Sequence, residues 1–136
     1  MHLSTGIVFT NGCFDILHIG HITLFKACRE LGGSVIVGLN SDKSIKRLKG
    51  SGRPINCEDD RKKVLMALRY VDDVIIFDED TPLKLVKSLM PRYLVKGSDY
   101  QIDSVVGAEY AESVILVDLI SGRSTTSIIN KLNNVL

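Results

Sequence analysis

Two histidines near the N-terminus have a spacing that would let them act together. In the stretch NGCFDILHIGH, residues 11–21, His18 and His21 lie three residues apart and Asp15 lies three residues before the first. At the start of a helix, side chains with this spacing share one face, and the exposed backbone N–H groups there attract anions. Gly20 would let a ligand approach the backbone closely. Packing, anion binding and metal ligation all remain open for this pair, although zinc would need a third ligand that no nearby pattern supplies.

Basic and hydroxyl-bearing residues form the second chemically active group. The segment NSDKSIKRLKGSGRP is rich in lysine and arginine, Arg61 follows it, and GRSTT contains Arg123, Ser124 and Thr125. By default such cations form a solvated helix face, and Ser124 is a simple helix cap. Hydroxyls, free N–H groups and a guanidinium together also suit a polyphosphate. Lys49, beside Gly50 and Gly52, is the strongest phosphate candidate in the basic segment, whose cations are Lys43, Lys46, Arg47, Lys49 and Arg53.

The composition bounds the class of protein. The chain has 136 residues, 45% hydrophobic and 24% charged, which predicts a single folded domain over residues 1–136. A net charge of +1 gives no reason to expect nucleic acid or a membrane as partner. The three cysteines, Cys13, Cys28 and Cys57, are odd in number and lack a C-x-x-C pair, which suits a reducing compartment. With no signal-like segment or long apolar run, we expect a soluble cytoplasmic protein.

The elements that must position these residues alternate between strand and helix. Short, continuous, β-branched runs predict five strands buried on both faces, namely IVFTNG from Ile7, SVIVGLN at 34–40, DVIIF ending at Phe77, YLVKG at 93–97 and SVILVDL ending at Leu119. Amphipathic stretches between them predict helices with inward faces formed by Leu24, Cys28 and Leu31; by Val64, Leu65 and Leu68; by Leu83, Val86 and Met90; and by Ile128, Ile129 and Leu132. The pattern predicts an α/β fold, a Rossmann-like parallel five-stranded sheet with flanking helices.

Parallel sheets bind ligands beyond the carboxyl ends of their strands. Four loops leave the predicted strands there, TNGCFD, NSDKSIKRLKGSGRP, KGSDYQ and ISGRST, and we expect them to converge on one site. The sequence contains neither G-x-G-x-x-G nor G-x-x-x-x-G-K-[ST], so phosphate must be held by other means.

The motifs together resemble a known family. HIGH within NGCFDILHIGH, followed by RLKGSGRP, DDRKKVL, VKGSDY and GRSTTSII, is similar to the small nucleotidyltransferases of the cytidylyltransferase group, over nearly the whole chain. Within that group, TNGCFDILHIGH, NSD, KRLKG, RPIN and LVKGSDY resemble most closely the adenylyltransferase domain for D-glycero-β-D-manno-heptose 1-phosphate. Glycerol-3-phosphate cytidylyltransferase is the other similar member. Cys13, Ile19 and Leu119 depart from its usual threonine, tryptophan and arginine, and these departures favour the heptose enzyme.

The resemblance implies a reaction. A sugar 1-phosphate and a nucleoside triphosphate, ATP rather than CTP, would give a nucleotide-sugar and pyrophosphate, with Mg²⁺ bound mainly through the nucleotide phosphates. His18, His21 and Lys49 would be catalytic, and Asp15, Asp42 and Lys49 would contact the sugar phosphate. Asp15 has two further possible roles, orienting a histidine or holding its loop, and a helix cap is the alternative for Asp42. The implied nucleotide site comprises Thr10, Asn11, Cys13, Phe14, His18, Gly20, His21, Arg61, Lys96, Gly97, Asp99, Arg123, Ser124 and Thr125.

Two functional alternatives and several partners follow from the same resemblance. The alternatives are an alcohol-phosphate cytidylyltransferase that uses CTP and a non-catalytic nucleotide-binding regulator. Relatives are commonly dimers, so a homodimer is expected. The heptose domain is often fused to a sugar kinase; a chain without one would need that kinase as a separate protein.

Overall fold

A computed structural model describes residues 6–98, 104–118 and 125–135 of the chain. Strands and helices alternate along it, as the sequence predicts. The strands are Ile7–Gly12 (β1), Ser34–Asn40 (β2), Asp73–Phe77 (β3), Tyr93–Gly97 (β4) and Ser113–Val117 (β5). The helices are Ile19–Glu30 (α1), Asp42–Lys49 (α2), Glu58–Met66 (α3), Leu83–Leu89 (α4) and Thr125–Val135 (α5), and a 3-10 turn spans Ala108–Tyr110.

The five strands form one parallel sheet in the order β3-β2-β1-β4-β5. The chain moves outward from β1 through β2 to β3, and then crosses back to place β4 on the other side of β1. This reversal leaves a crevice between the loops that follow β1 and β4, which is where open α/β sheets bind ligands. The prediction of a Rossmann-like parallel sheet is therefore confirmed.

Side-chain alternation along β1 divides the core between two faces of the sheet. Val8 packs on the face covered by Leu24, Phe25 and other residues of α1. Phe9 packs on the opposite face with Val86 of α4. Consequently Thr10 continues the first face and Asn11 the second, so the end of β1 supplies side chains to both sides of the crevice.

Four residues expected to face inward are instead exposed. Val64 precedes the buried Leu65 on α3, and one helical step turns it by about 100° toward solvent. Leu83 lies in the first turn of α4, and Met90 leaves that helix in a left-handed conformation with φ of 48°. Leu132 of α5 is also exposed. The predicted faces were therefore too wide, because these helices are short and expose their ends. None of the described helices combines the length and apolar character that a membrane span requires.

Candidate active site

The two histidines form the N-terminal cap of α1. His18 is the N-cap residue with an extended backbone, and its Nδ1 accepts a hydrogen bond from the backbone N–H of Gly20 at 3.1 Å. His21 reaches back, and its Nδ1 accepts from the backbone N–H of His18 at 3.3 Å. The ring centroids lie 3.8 Å apart. This is a capping box in which imidazoles occupy the positions that Ser or Thr and Glu or Gln usually hold.

This cap determines which nitrogen of each ring carries a proton. Because each Nδ1 of His18 and His21 accepts a hydrogen bond, each neutral ring must carry its proton on Nε2. Each imidazole therefore retains one N–H donor outside the cap. The backbone N–H of Gly20 donates to His18 and is therefore not available to a ligand. The contribution of Gly20 to the site is its lack of a side chain.

Both histidines are held in the neutral form. Burial, the neighbouring His18 and the Lys49 ammonium together lower the pKa of His21 to about 4, and burial is the largest of these causes. Burial also lowers the pKa of His18. Near pH 7 the pair consequently offers neutral hydrogen-bond donors, and positive charge must come from another residue.

Lys49 is the basic residue of the second loop that the structure places at the site. It ends α2 and lines a cavity of about 370 Å³ together with Asn11 and Cys13. Its charge also lowers the pKa of His21, so its ammonium lies close enough to act on the histidine pair. Lys49 therefore connects the α1 cap with the cavity beyond β1 and β2.

The other cations of that segment are placed differently. Arg47 forms a 2.8 Å ion pair with Asp80 and also donates to the carbonyl of Asp78. Lys43 and Lys46 are exposed, and neither lines the cavity. Position at the C-terminal end of α2 thus distinguishes Lys49 from its neighbours, a distinction that the sequence left open.

The expected contact between Arg61 and the nucleotide phosphates conflicts with the structure. The side chain is 2% exposed, and its guanidinium donates to the backbone carbonyls of Cys13, Asn40 and Asn56 and to the Asp42 carboxylate at 2.8–2.9 Å. These partners follow β1, end β2 and precede α3. Arg61 therefore joins three loops from below the site, and binding a phosphate would require it to give up these hydrogen bonds.

Asp15 also acts within the protein. Its buried carboxylate accepts from the backbone N–H groups of Ile55 at 2.7 Å and Asn56 at 2.8 Å, and from Arg53 at 3.5 Å. The Asn56 side chain returns a hydrogen bond to the Asp15 carbonyl. Of the roles considered for Asp15, the geometry corresponds to holding the loop, because its oxygens already bind these groups.

Asp42 likewise serves the protein and does not act as the helix cap. Ser41 caps α2 through its hydroxyl, which accepts from the Ser44 N–H at 3.1 Å. The Asp42 carboxylate instead pairs with Arg61 at 2.8 Å. The expected contacts of Asp15 and Asp42 with the sugar phosphate are therefore both replaced by internal ones.

The remaining candidates near β1 divide between support and lining. Asn11 and Cys13 line the cavity. Phe14 is buried at φ of 44°, and its ring packs 5.2 Å from the His21 ring, so it supports the cap from beneath. Thr10 is fully buried, with a hydroxyl that has no hydrogen-bond partner among the described residues. Burial raises the pKa of the Cys13 thiol despite the nearby cations, so the thiol stays protonated and is no nucleophile.

Lys96 and Gly97 end β4, across the crevice from β1. The Lys96 ammonium donates to the side-chain and backbone oxygens of Asn11 at 3.1 and 3.3 Å. Asp99, Arg123 and Ser124 lie outside the described residues, and Thr125 begins α5.

Sequence reasoning missed the polar cavity residues Asn40, Thr81 and Ser104. A signal was available for Asn40, because it is the last residue of a buried parallel strand. In the described part of the chain, no group of three or more His, Cys, Asp or Glu side chains is arranged to hold a metal ion.

The sequence of this chain matches a known protein family. The profile of the cytidylyltransferase-like family matches residues 9–132. The chain belongs to the cytidylyltransferase-like family. The family match covers β1 through most of α5, and so includes every element that contributes to the site.

Individual relatives support the family assignment. The chain is 56% identical over 126 residues to the bifunctional protein HldE of Campylobacter fetus, which covers 93% of this chain and 28% of that protein. It is 55% identical over 134 residues to the protein of the same name from Mesorhizobium japonicum, covering 96% and 27% respectively. The chain thus spans about a quarter of the length of these relatives.

A solved structure resembles the chain over most of its length. It is the lipopolysaccharide core biosynthesis protein from Thermoplasma volcanium, with a TM-score of 0.71 and 26% identity. The match covers 85% of this chain and 98% of the other.

Proposed function

We propose that this domain transfers an adenylyl group from ATP to a sugar 1-phosphate, releasing pyrophosphate. The proposed acceptor is D-glycero-D-manno-heptose 1-phosphate. The observation that carries the proposal is the histidine cap of α1, in which His18 and His21 present neutral Nε2–H donors beside the Lys49 ammonium. Donors held in this way suit a phosphate group that gains negative charge during a reaction.

The chemistry requires positioning rather than a protein nucleophile. A sugar phosphate is already anionic near neutral pH, and one of its oxygens attacks the α-phosphorus of ATP as the bond to pyrophosphate breaks. In the proposed mechanism, His18 and His21 donate to the triphosphate oxygens, and these hydrogen bonds strengthen as the α-phosphorus becomes five-coordinate. Lys49 attracts the attacking phosphate and offsets its repulsion from the triphosphate. The protonated Cys13 thiol takes no covalent part.

The remaining phosphate and base contacts are proposed for the loops after β4 and before α5. Arg123, Ser124 and Thr125 would hold the leaving pyrophosphate at the start of α5, and Gly97 and Asp99 would lie near the base. Mg²⁺ would be held mainly by the nucleotide, would supply positive charge that offsets that of the phosphates, and would need few protein ligands. Few protein ligands are to be expected, since Asp15 and Asp42 are bound to protein donors and Asp80, which lines the cavity, pairs with Arg47.

The names of the relatives support the acceptor. The HldE proteins are called bifunctional, which agrees with a heptose adenylyltransferase domain fused to a sugar kinase. The solved relative is described as acting in lipopolysaccharide core biosynthesis, a process that uses nucleotide-activated sugars. A kinase, fused or separate, would supply the sugar phosphate. We further propose a cytoplasmic homodimer.

A substrate panel tests the proposal. ATP and CTP are each combined with heptose 1-phosphate and with glycerol 3-phosphate, and pyrophosphate release is measured. We expect the highest kcat/KM for the pair of ATP and heptose 1-phosphate. A preference for CTP with glycerol 3-phosphate would replace it with the cytidylyltransferase alternative, and nucleotide binding without turnover of any acceptor would indicate a regulator.

A further inference from the structure

Three neighbouring strands end in polar residues on the same face of the sheet. They are Asn40 at the end of β2, Asn11 in β1 and Lys96 in β4. In the strand register Asn11 lies beside Gly38, so Asn40 lies two residues further along β2. Continuing the pairing of Phe9 with Leu94 places Lys96 beside Asn11, and side-chain alternation directs all three toward the face that packs on α4. The α1 helix, with its histidine cap, covers the opposite face.

These three residues line the cavity of about 370 Å³ that Lys49 also reaches. Its volume lies within the range of small-molecule sites. Thr81 and Ser104 add further polar lining, and none of the described lining residues is aromatic. Leu48, Pro82, Val105 and Val106 supply apolar lining. The described walls thus combine polar groups that suit several hydroxyl groups with apolar patches that can contact a carbon skeleton, and they offer no aromatic ring on which a nucleobase could stack.

The orientation of the Asn40 amide follows from its neighbours. The Ser44 hydroxyl donates its one proton to the Glu79 carbonyl at 2.9 Å, so it can only accept from Asn40, at 3.0 Å. Nδ2 of Asn40 therefore faces Ser44, and Oδ1 is the remaining atom. Among the described residues no donor reaches Oδ1, although Asn40 is only 5% exposed. Oδ1 is not enclosed by the protein, so it is open to accept a hydrogen bond from a ligand hydroxyl.

Asn11 is oriented in the same manner. Its Oδ1 accepts from the Lys96 ammonium at 3.1 Å, which leaves Nδ2 as a donor. The cavity thus combines an acceptor from Asn40 with a donor from Asn11, and the Lys96 ammonium orients the Asn11 amide. A hydroxyl group can both donate and accept a hydrogen bond. A cavity that offers a donor and an acceptor can therefore bind several hydroxyl groups of one ligand.

We propose that this cavity binds the hydroxyl-bearing sugar of the attacking phosphate ester, and that Asn40, Asn11 and Lys96 determine which sugar is accepted. Lys49 holds the phosphate of the ester at the mouth of the cavity, next to the histidine cap. The inference rests on the proposed transferase function and adds the residues that select the acceptor.

Kinetics of Asn40→Ala and Lys96→Met test the assignment. Each variant is compared with wild type using ATP and two acceptors, the best sugar 1-phosphate and methyl phosphate, which has no carbon-bound hydroxyl. We expect the KM for the sugar phosphate to rise about fivefold for Asn40→Ala and about tenfold or more for Lys96→Met. The KM for ATP, and the rate or competitive inhibition constant with methyl phosphate, should stay within about twofold of wild type. Lys46→Met, an exposed lysine on α2, is the matched control and should change none of them.

Other outcomes overturn the assignment. A selective rise in the KM for ATP would make the cavity a nucleotide pocket. Equal losses of activity with the sugar phosphate and with methyl phosphate would mean that the side chains only support the fold. The melting temperatures of the variants would then be lower than that of wild type. If wild type turns over the sugar phosphate and both variants match it, the cavity assignment alone fails. If wild type turns over no sugar phosphate, the transferase proposal fails and the inference fails with it.

Discussion

The histidine cap allows the structural and chemical roles of His18 and His21 to be separated by mutation. Each Nδ1 serves α1, whereas each Nε2–H is the proposed phosphate donor. The double substitution His18→Ser with His21→Gln converts HIGH into SIGQ, an ordinary capping box. It retains both cap acceptors and removes both rings, leaving a serine hydroxyl and a glutamine amide in place of the two imidazole Nε2–H donors. Stability and turnover should therefore respond differently.

The expected magnitudes differ enough to be decisive. Losing an N-cap acceptor, as in His18→Ala, costs about 1 kcal/mol. For a chain of 136 residues this corresponds to a decrease in Tm of about 3–4 °C. The double variant should retain most of that stability. Loss of one transition-state donor costs about 2.7 kcal/mol or more, about 100-fold in kcat, and His18→Ala and His21→Ala should each lose at least this much.

The assay combines thermal unfolding with pyrophosphate release at saturating ATP and acceptor. We expect the double variant to melt near the temperature of wild type and to lose at least about 100-fold in kcat. Turnover near wild type in the folded double variant, or in folded His21→Ala, would remove the histidines from phosphate chemistry. A melting temperature as low as that of His18→Ala would mean that the cap geometry depends on the imidazole rings.

Three further predictions follow from the charges at the site. Lys49→Ala should raise the KM for acceptor or nucleotide, whereas Lys46→Ala on the same helix should raise neither; unchanged constants for both variants would reject the role of Lys49. Arg61→Ala should lower the free energy of unfolding by about 3–5 kcal/mol in denaturant titrations, because the Asp42 carboxylate and three backbone carbonyls lose their cation. The control is Lys63→Ala on the same helix, which removes an exposed lysine and should change the free energy of unfolding little. The pKa of His21 is about 4 in the folded chain and about 6.5 in the unfolded chain, so between these pH values the unfolded chain binds one proton more. The free energy of unfolding should therefore fall by up to about 3 kcal/mol as the pH drops from 6.5 to 4. His21→Gln should flatten that part of the stability profile, and an unchanged slope would contradict the low pKa.

The sequence predicted the strands well because their signal is local. Buried parallel strands are continuous β-branched runs, and all five were located with the correct order of helix and strand. The helix start at His18 was also evident, because the apolar period begins directly after it. Inward helix faces were predicted less well, since Val64 and Met90 satisfy the period but lie where a short helix leaves them uncovered.

Residue types alone could not distinguish a cation that binds ligand from one that binds the protein. Arg61 and Lys49 both lie in basic, loop-proximal segments, and both suited phosphate by sequence. Their difference depends on contacts distant along the chain, since Arg61 reaches carbonyls at positions 13 and 40, which lie 48 and 21 residues away. The sequence left several roles open for Asp15 for the same reason, because its partners are the backbone N–H groups of a loop 40 residues later.

The assignment of Arg61 to the protein and Lys49 to the ligand also has a physical rationale. A planar guanidinium with several fixed donors suits a permanent junction, and at Arg61 it satisfies three carbonyls and a carboxylate that would otherwise lack partners below the site. Such a group cannot follow a phosphate whose geometry changes during attack without breaking that junction. A lysine at an exposed helix end retains its freedom to move, and its compact ammonium can remain with the phosphate as the new bond forms. A Lys49→Arg variant should therefore keep the charge and lose turnover, even though the substitution is conservative by composition.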